Sequence, residues 1–350
     1  TELRLLLHLK ESDGHLSGTL DSLDQSALGI PASDIQISGQ KIHFLVPSVH
    51  GSFDGSFDET GQTIKGEWKQ GPGVLPLVLC RQSVPFTEDR PQEPKPPFPY
   101  LAEEVSYPNP QAPGVTLAGT FTKPAGAGPF PAVLLITGSG PQDRDETILG
   151  HKPFLVIADY LTRHGIAVLR VDDRGFGKST GNFKNATTAD FATDTEAGVH
   201  YLLGRVDVDK KHVGLLGHSE GATIAPIVAA RIPQVSFIVL LAGSGVPGDQ
   251  LLERQVYQIA LASGVPAGQA DAARSTEHQL LHIVLTEKDP AQQTARIEAM
   301  FPEGPTRSRV LSGLAAMNSP WFRYFLAFDP APTLAQVKCP VLALNGARDT

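Results

Sequence analysis

The sequence predicts an α/β protein: a doubly wound, mostly parallel sheet with a helical insertion, preceded by a small all-β domain. Three observations lead to this prediction. Short runs of alternating apolar residues fill the first 82 positions, a proline-rich stretch follows, and apolar runs then alternate with helical stretches. At 350 residues, 41% of them hydrophobic, the chain is long enough for two domains.

The all-β domain is predicted over 1–82. Apolar residues alternate with others at 3–9 and again at 42–46, which is typical of half-buried strands. Turn-forming stretches such as "ETGQ" at 59–62 separate these runs. Together they predict a meander of six or seven strands, arranged as a sandwich or a partial barrel.

A linker is predicted over 83–100. The stretch "PFTEDRPQEPKPPFPY" at 85–100 favours an extended, semi-rigid backbone over a packed element because proline is so frequent in it. We therefore place the domain boundary here.

The α/β domain is predicted over 101–350. Its strands are apolar runs of the kind that parallel sheets bury on both faces. They lie at 131–137, 165–171, 212–217, 236–243 and 339–346. The long connection at about 247–336 is rich in helix formers, so it predicts a helical lid over the carboxyl ends of the strands.

A candidate nucleophile lies in "LLGHSEGA", where Ser219 stands between Gly217 and Gly221 in a Gly-x-Ser-x-Gly pattern. An apolar strand runs into this pattern and a helix runs out of it. This context is typical of a turn so tight that only glycine fits two positions before and after the serine.

A serine that attacks a carbonyl needs N–H donors for the oxyanion that forms. In a strand-turn-helix arrangement of this kind, one donor is the residue after the serine, Glu220, and the other lies in the loop after an earlier strand. That loop reads "TGSGPQDRDE", and it makes Gly138 and Ser139 the candidates.

Four motifs in this order, "LLITGSGPQDRDE", "VLRVDDRGFGKSTG", "VGLLGHSEGA" and "VLALNGARD", resemble those of the α/β-hydrolase superfamily. With a β domain in front, the chain is similar to two-domain bacterial carboxylesterases of the EstD-like kind. The resemblance implies that Ser219 is the nucleophile and that Asp349 is the acid that orients a histidine.

The histidine of such a triad follows the acid in chain order, yet all eleven histidines precede Asp349. We expect the histidine beyond Thr350, with a C-terminal segment missing from this sequence. The alternative is a protein that lacks a base and is inactive.

Further residues have two interpretations each. Trp321 and Phe322 could line a substrate pocket in the lid, although aromatic residues at helical spacing more often form core. Arg144 or Arg174 could form an ion pair with Glu220, or each could be exposed.

Composition excludes several classes of function. The formal net charge is -8 and the basic residues are scattered, so nucleic acid is not expected as a partner. No apolar run approaches the roughly 20 residues of a membrane span. Cys80 and Cys339 cannot form a disulfide framework or a cysteine zinc site, and no metal or organic cofactor is implied.

The sequence therefore predicts a serine hydrolase for small carboxylic esters. An amidase or peptidase of the same fold and a non-catalytic binding protein are the alternatives. The chain begins with Thr1, which, with the resemblance, favours an extracellular or periplasmic location over a cytoplasmic one. A homodimer is possible.

Overall fold

The computed structural model describes residues 4–349 except 13, 26 and 84–89. The chain divides into two compact units, Thr1–Asp89 and Arg90–Thr350. This division lies inside the segment predicted as a linker, 83–100, of which 84–89 fall outside the described residues.

The first unit is an antiparallel meander in which each described strand pairs with the next one in the chain. Its strands are β1 (Leu5–Ser12), β2 (His15–Ser22), β3 (Ala27–Ser38), β4 (Lys41–Val46), β5 (Gly51–Phe57), β6 (Thr63–Gln70) and β7 (Gly73–Cys80). One face carries the core, where the rings of Phe44 and Phe53 lie 5.2 Å apart between centroids. Alternation in the sequence thus reflects one buried face.

The second unit is built on a mixed sheet. Its strands among the described residues are β8 (Leu101–Pro108), β9 (Thr116–Lys123), β10 (Phe130–Ile136), β11 (Ala167–Val171), β12 (Val208–His218), β13 (Val235–Leu241) and β14 (Val341–Leu344). They are arranged in the order β14-β13-β12-β10-β11-β9-β8. The strands β10 to β14 are parallel, whereas β9 pairs antiparallel with both β11 and β8.

The sequence does not predict β8 and β9. Strand β8 carries two adjacent glutamates, and β9 contains three threonines and a glycine among its eight residues, so neither shows the apolar run of a buried parallel strand. In β9, Gly119 lies so close to β11 that a Cβ would be 2.4 Å from the carbonyl oxygen of Arg170. Close strand approach explains the glycine.

Helices cover both faces of this sheet. Helix α1 (Pro153–Arg163) packs on one face, and α2 (Thr188–Gly204) and α3 (Glu220–Arg231) pack on the other. The Asp190 carboxylate caps the start of α2, because it accepts hydrogen bonds from both the backbone N–H and the hydroxyl of Thr187.

Between β13 and β14 the described chain is helical. The helices are α4 (Gly248–Ala262), α5 (Ala267–Thr286), α6 (Pro290–Met300), α7 (Pro305–Met317), α8 (Pro320–Ala327) and α9 (Ala331–Leu334). They occupy the predicted insertion at 247–336, whose role as a lid stays a prediction. Because β10 to β14 are parallel, the loops that follow them meet at one edge of the sheet, where sites of such folds form.

Candidate active site

Ser219 occupies a strained turn between β12 and α3, with φ of 53° and ψ of −112°. This backbone conformation is costly for a residue other than glycine. A Cβ at Gly217 would lie 2.0 Å from the Gly221 carbonyl oxygen, and a Cβ at Gly221 would lie 2.2 Å from that of Ile136. Backbone contacts therefore require both glycines of the motif.

The backbone of Ser219 forms hydrogen bonds with neighbouring residues, whereas its side chain forms none among the described residues. Its N–H donates to the carbonyl of Leu241 (2.9 Å), and its carbonyl accepts from the N–H of Ala222 (3.0 Å). Within the described part of the chain, no group hydrogen-bonds to the Ser219 hydroxyl. No described histidine therefore serves as its partner in this structure.

We call residues 217–221 the serine turn and the loop after β10, residues 137–142, the oxyanion loop. The two lie in direct contact. A Cβ on Gly138 would lie 3.3 Å from the Ser219 Cβ. The Gly138 N–H already donates to the Glu146 Oε1 (2.8 Å), and its role as an oxyanion donor stays a prediction. Among the described residues, the N–H groups of Ser139 and Glu220 have no acceptor.

Glu146 is a functional candidate that the sequence analysis missed. Its side chain is 1% exposed, and its backbone has a left-handed φ of 52°. The same Oε1 that holds Gly138 also accepts from His218 Nδ1 (2.8 Å). This hydrogen bond raises the pKa of His218, and the negative charge of Asp349 adds to that effect.

Asp173, which follows β11, holds the two ends of the oxyanion loop. The Thr137 hydroxyl donates to its Oδ1 (2.6 Å), and the Gln142 N–H donates to its Oδ2 (2.8 Å). Burial raises the pKa of Asp173 to about 7, although both hydrogen bonds oppose the shift and the nearby charges of Glu220 and Asp194 add to it.

A small cavity of about 50 Å³ lies behind the oxyanion loop. Asp173, Asp194 and Glu220 line it together with apolar side chains of the core. Burial raises the pKa of each of these three carboxyl groups. The serine turn and the oxyanion loop thus rest on buried acidic groups.

The side chain of Glu220 connects three elements. Its Oε1 accepts from the Thr188 hydroxyl of α2 (2.7 Å) and from Trp321 Nε1 of α8 (2.8 Å). Burial raises the pKa of Glu220 against the opposing effect of these two hydrogen bonds.

No arginine forms an ion pair with Glu220 among the described residues, which corrects that alternative. Arg144 pairs with Asp172 and Glu104, and Arg174 pairs with Asp194. The physical reason is that other carboxylates already hold both arginines: Glu104 of β8 and Asp172 after β11 hold Arg144, and Asp194 of α2 holds Arg174.

Trp321 and Phe322 lie in α8. Ser319 immediately precedes this helix, and its hydroxyl accepts a hydrogen bond from the N–H of Phe322 (3.2 Å). Trp321 stacks on Phe325 with ring centroids 5.6 Å apart. Phe322 packs against the apolar cluster of the helical insertion. Trp321 therefore reaches the serine turn through Glu220, while Phe322 contributes to packing.

Asp349 follows β14 in a turn where its N–H donates to the Gly346 carbonyl (3.1 Å). It is exposed, and its charge acts on His218. The structure thus brings Asp349 to the same edge of the sheet as Ser219, and its role as the triad acid stays a prediction. The predicted histidine position lies outside the described residues.

This mixed sheet, whose strands β10 to β14 are parallel and whose central strand β12 leads into a glycine-lined turn with a serine, defines an α/β-hydrolase. Residues 113–350 match the family model described as X-Pro dipeptidyl-peptidase (S15 family). The chain belongs to this family.

Several known proteins are similar. Esterase EstD of Thermotoga maritima is 38% identical over 152 residues, which cover 43% of this chain and 36% of that protein. The match thus spans about a third of the relative's length. Hypothetical protein PA2218 of Pseudomonas aeruginosa has a TM-score of 0.45 at 17% identity, over 76% of this chain and 84% of that one. The α/β hydrolase GrgF of Penicillium sp. sh18 has a TM-score of 0.42 at 16% identity, over 70% and 90%.

Among the described residues, no helix combines the length and the apolar character that crossing a bilayer requires.

Proposed function

We propose that the protein is a serine hydrolase that cleaves carboxylic esters through an acyl-enzyme. One observation carries the proposal: Ser219 stands on a strained turn with its hydroxyl unpaired in the described structure, and two unpaired N–H groups flank it. These belong to Ser139, in the loop that contacts the turn, and to Glu220, the next residue. The similarity to an esterase supports the same conclusion.

In the proposed mechanism, Ser219 Oγ attacks the ester carbonyl carbon while its proton passes to a histidine. The carbonyl oxygen becomes an oxyanion that accepts from the N–H groups of Ser139 and Glu220. The C–O bond to the alcohol then breaks, and the histidine returns its proton to that leaving oxygen. Water repeats the sequence on the acyl-enzyme and releases the acid and free Ser219.

Asp349 is the proposed partner of that histidine, which follows the acid in the chain order typical of this superfamily. The pKa of His218 is raised partly by the charge of Asp349, which supports a position of this carboxylate near the serine turn. The coding sequence downstream of Thr350 tests this assignment directly, because the chain order serine, acid, histidine requires a histidine after Asp349.

Replacement of the nucleophile is the main test. Ser219→Ala should lower kcat for a short-chain p-nitrophenyl ester by about 10⁵-fold or more. It should also abolish labelling by a fluorophosphonate probe. The matched control is Ser244→Ala, since Ser244 follows the neighbouring strand β13 and its hydroxyl bonds only to nearby backbone. A folded wild-type protein that neither labels nor turns over ester would favour the non-catalytic alternative.

A peptidase is the second candidate, favoured by the family match over 113–350. The same acyl-transfer chemistry cleaves amides when the leaving group is an amine. Turnover of a p-nitrophenyl ester compared with that of an X-Pro p-nitroanilide separates the two, and a higher kcat/KM for the anilide would replace the esterase proposal.

The helical insertion is proposed to act as a lid that carries part of the substrate pocket. The hydrogen bond from Trp321 in α8 to Glu220 supports this, because it joins the insertion to the serine turn. Lining of the pocket by Trp321 and Phe322, an extracellular or periplasmic location and a homodimer stay predictions.

A further inference from the structure

We propose that Glu146 is a positioning residue that sets which backbone donors form the oxyanion hole. In this arrangement, Glu146 withdraws the Gly138 N–H from the substrate and couples the oxyanion loop to the serine turn through His218. The donors that remain are Ser139 and Glu220. The inference rests on the proposed hydrolase function.

The first supporting observation is the shared acceptor. One oxygen, Glu146 Oε1, lies 2.8 Å from the Gly138 nitrogen and 2.8 Å from His218 Nδ1. An acceptor with two lone pairs can hold both donors at once. Because Gly138 lies in the oxyanion loop and His218 immediately precedes Ser219, this single atom connects the two parts of the site.

The second observation is the way Glu146 is held. Its side chain is 1% exposed, so the carboxylate has no competing water shell and its hydrogen bonds are correspondingly strong. Its left-handed backbone is part of a turn in which its N–H donates to the Asp143 carbonyl (2.9 Å). Such a conformation persists only where surrounding contacts enforce it.

The third observation concerns space. A Cβ on Gly138 would lie 3.3 Å from Ser219 Cβ and 3.4 Å from both Glu146 Oε1 and His218 Nδ1. The four residues are therefore packed against one another. A loop held this closely has little freedom, so the direction of the next N–H, that of Ser139, depends on the Glu146 contact. The hydrogen bond from His218 Nδ1 to the same oxygen also raises the pKa of His218.

The test compares Glu146→Ala with Glu146→Gln. The glutamine keeps an Oε1 that can accept from both donors, whereas alanine removes it. Glu146→Ala should lower kcat for the p-nitrophenyl ester by about 10²-fold with KM changed less than about threefold, since misplaced oxyanion donors act on the transition state. Glu146→Gln should recover most of this loss.

Asp143→Ala is the matched control. The Asp143 carboxylate caps the adjoining turn at 143–147 through the N–H groups of Asp145 and Thr147, but among the described residues it forms no hydrogen bond with Gly138 or His218. This variant should lower the melting temperature while kcat stays within about threefold of wild type. A kcat for Glu146→Ala equal to that of Asp143→Ala, or a loss carried by KM alone, would overturn the inference.

A readout independent of turnover separates this inference from the proposed function. Hydrogen exchange followed by mass spectrometry should show slow amides at Gly138 and Gln142 in the 137–142 segment of the wild type. The Gly138 amide should exchange fast in Glu146→Ala and stay slow in Glu146→Gln, while the Gln142 amide should stay slow in both. Unchanged exchange in Glu146→Ala overturns the inference even when the wild type is active. If the slow Gly138 amide is lost in Glu146→Ala but the wild type shows no ester turnover, the contact is real and the proposed function is wrong. The catalytic role of Glu146 then falls with that function.

His218 supplies a second pair of variants should Glu146→Ala not fold. His218→Leu removes the donor and should lower kcat in the same way, while His218→Asn places an amide N–H near the Nδ1 position and should retain more activity. Equal kcat values for the two variants would contradict the coupling.

Discussion

The serine turn after β12 and the oxyanion loop after β10 form opposite sides of one site, yet different forces hold them. In the serine turn, the glycines at 217 and 221 have backbone atoms where a side chain would be. In the oxyanion loop, buried carboxylates of Asp173 and Glu146 hold backbone and side-chain donors. The first is shaped by steric exclusion and the second by hydrogen bonds to buried charge.

The two sides of the site should therefore differ in their sensitivity to substitution and to pH. A turn shaped by steric exclusion tolerates no side chain at its two glycines, but its conformation does not depend on pH. A loop held by buried acids tolerates small substitutions, but it depends on the protonation state of those acids. Three predictions probe this contrast.

The largest effect is expected at Gly221. Gly221→Ala places a Cβ 2.2 Å from the Ile136 carbonyl oxygen, so β10 and α3 must separate. We expect a loss of about 3 kcal/mol or more in the free energy of unfolding, measured by urea denaturation. Gly138→Ala is the matched control, because its nearest atoms are side-chain atoms at 3.3 and 3.4 Å, and it should cost about 1 kcal/mol or less. Equal costs for the two variants would remove the distinction between the two sides.

A smaller, pH-dependent effect is expected at Asp173. Its folded pKa of about 7 exceeds the ordinary aspartate value of 3.8, so between these two pH values the folded state binds more protons than the unfolded state. The contribution of Asp173 to the free energy of unfolding therefore falls as pH rises through this window, because the carboxyl ionises in the unfolded state while burial keeps it protonated in the folded state. Asp173→Asn should reduce the loss of unfolding free energy between pH 5 and pH 8 by about 2 to 3 kcal/mol, at 1.36 kcal/mol per pKa unit.

The control for Asp173 is Asp207→Asn. The hydrogen bond from Arg205 holds the pKa of Asp207 well below its usual range, so this carboxyl stays ionised from pH 5 to pH 8. Its replacement should lower stability by a similar amount at both pH values. A pH profile of Asp173→Asn parallel to that of the wild type would show that Asp173 does not titrate in this range.

The smallest effect is expected where the insertion meets the serine turn. A double-mutant cycle of Trp321→Phe with Glu220→Leu should give a coupling of about 1 kcal/mol in unfolding free energy, because the pair shares one hydrogen bond. The control cycle pairs Glu220→Leu with Phe322→Leu, which have no hydrogen bond between them, and should give a coupling near zero. A coupling near zero for Trp321 as well would contradict the connection.

Sequence patterns predicted the elements that bury apolar surface on both faces. The parallel strands β10 to β13 appear as apolar runs, and the Gly-x-Ser-x-Gly spacing predicts a tight turn because its glycines have a steric reason. Strands β8 and β9 escaped prediction because their residues follow no apolar run. Their pairing with the sheet is a tertiary contact that local pattern does not encode.

The roles of the charged residues at the end of the oxyanion loop and just after it could not be predicted from the sequence. The stretch "PQDRDE" holds several charged side chains in succession, and nothing in their spacing indicates which of them points inward. Asp143 caps its own turn, Asp145 pairs with Arg170, and Glu146 is buried against the serine turn. Neighbouring acids thus take unrelated roles, and Gly138 was predicted as a donor although its N–H is already used.

Local sequence pattern was enough to predict the parallel strands from β10 onward and the position of the serine turn, since periodicity and the steric need for glycine are local properties. Only the tertiary structure decided which backbone N–H groups remain free, which acids are buried, and that Trp321 reaches Glu220. Those features depend on desolvation and on contacts between residues far apart in the chain, such as the 72 and 101 positions that separate Glu146 from His218 and Glu220 from Trp321.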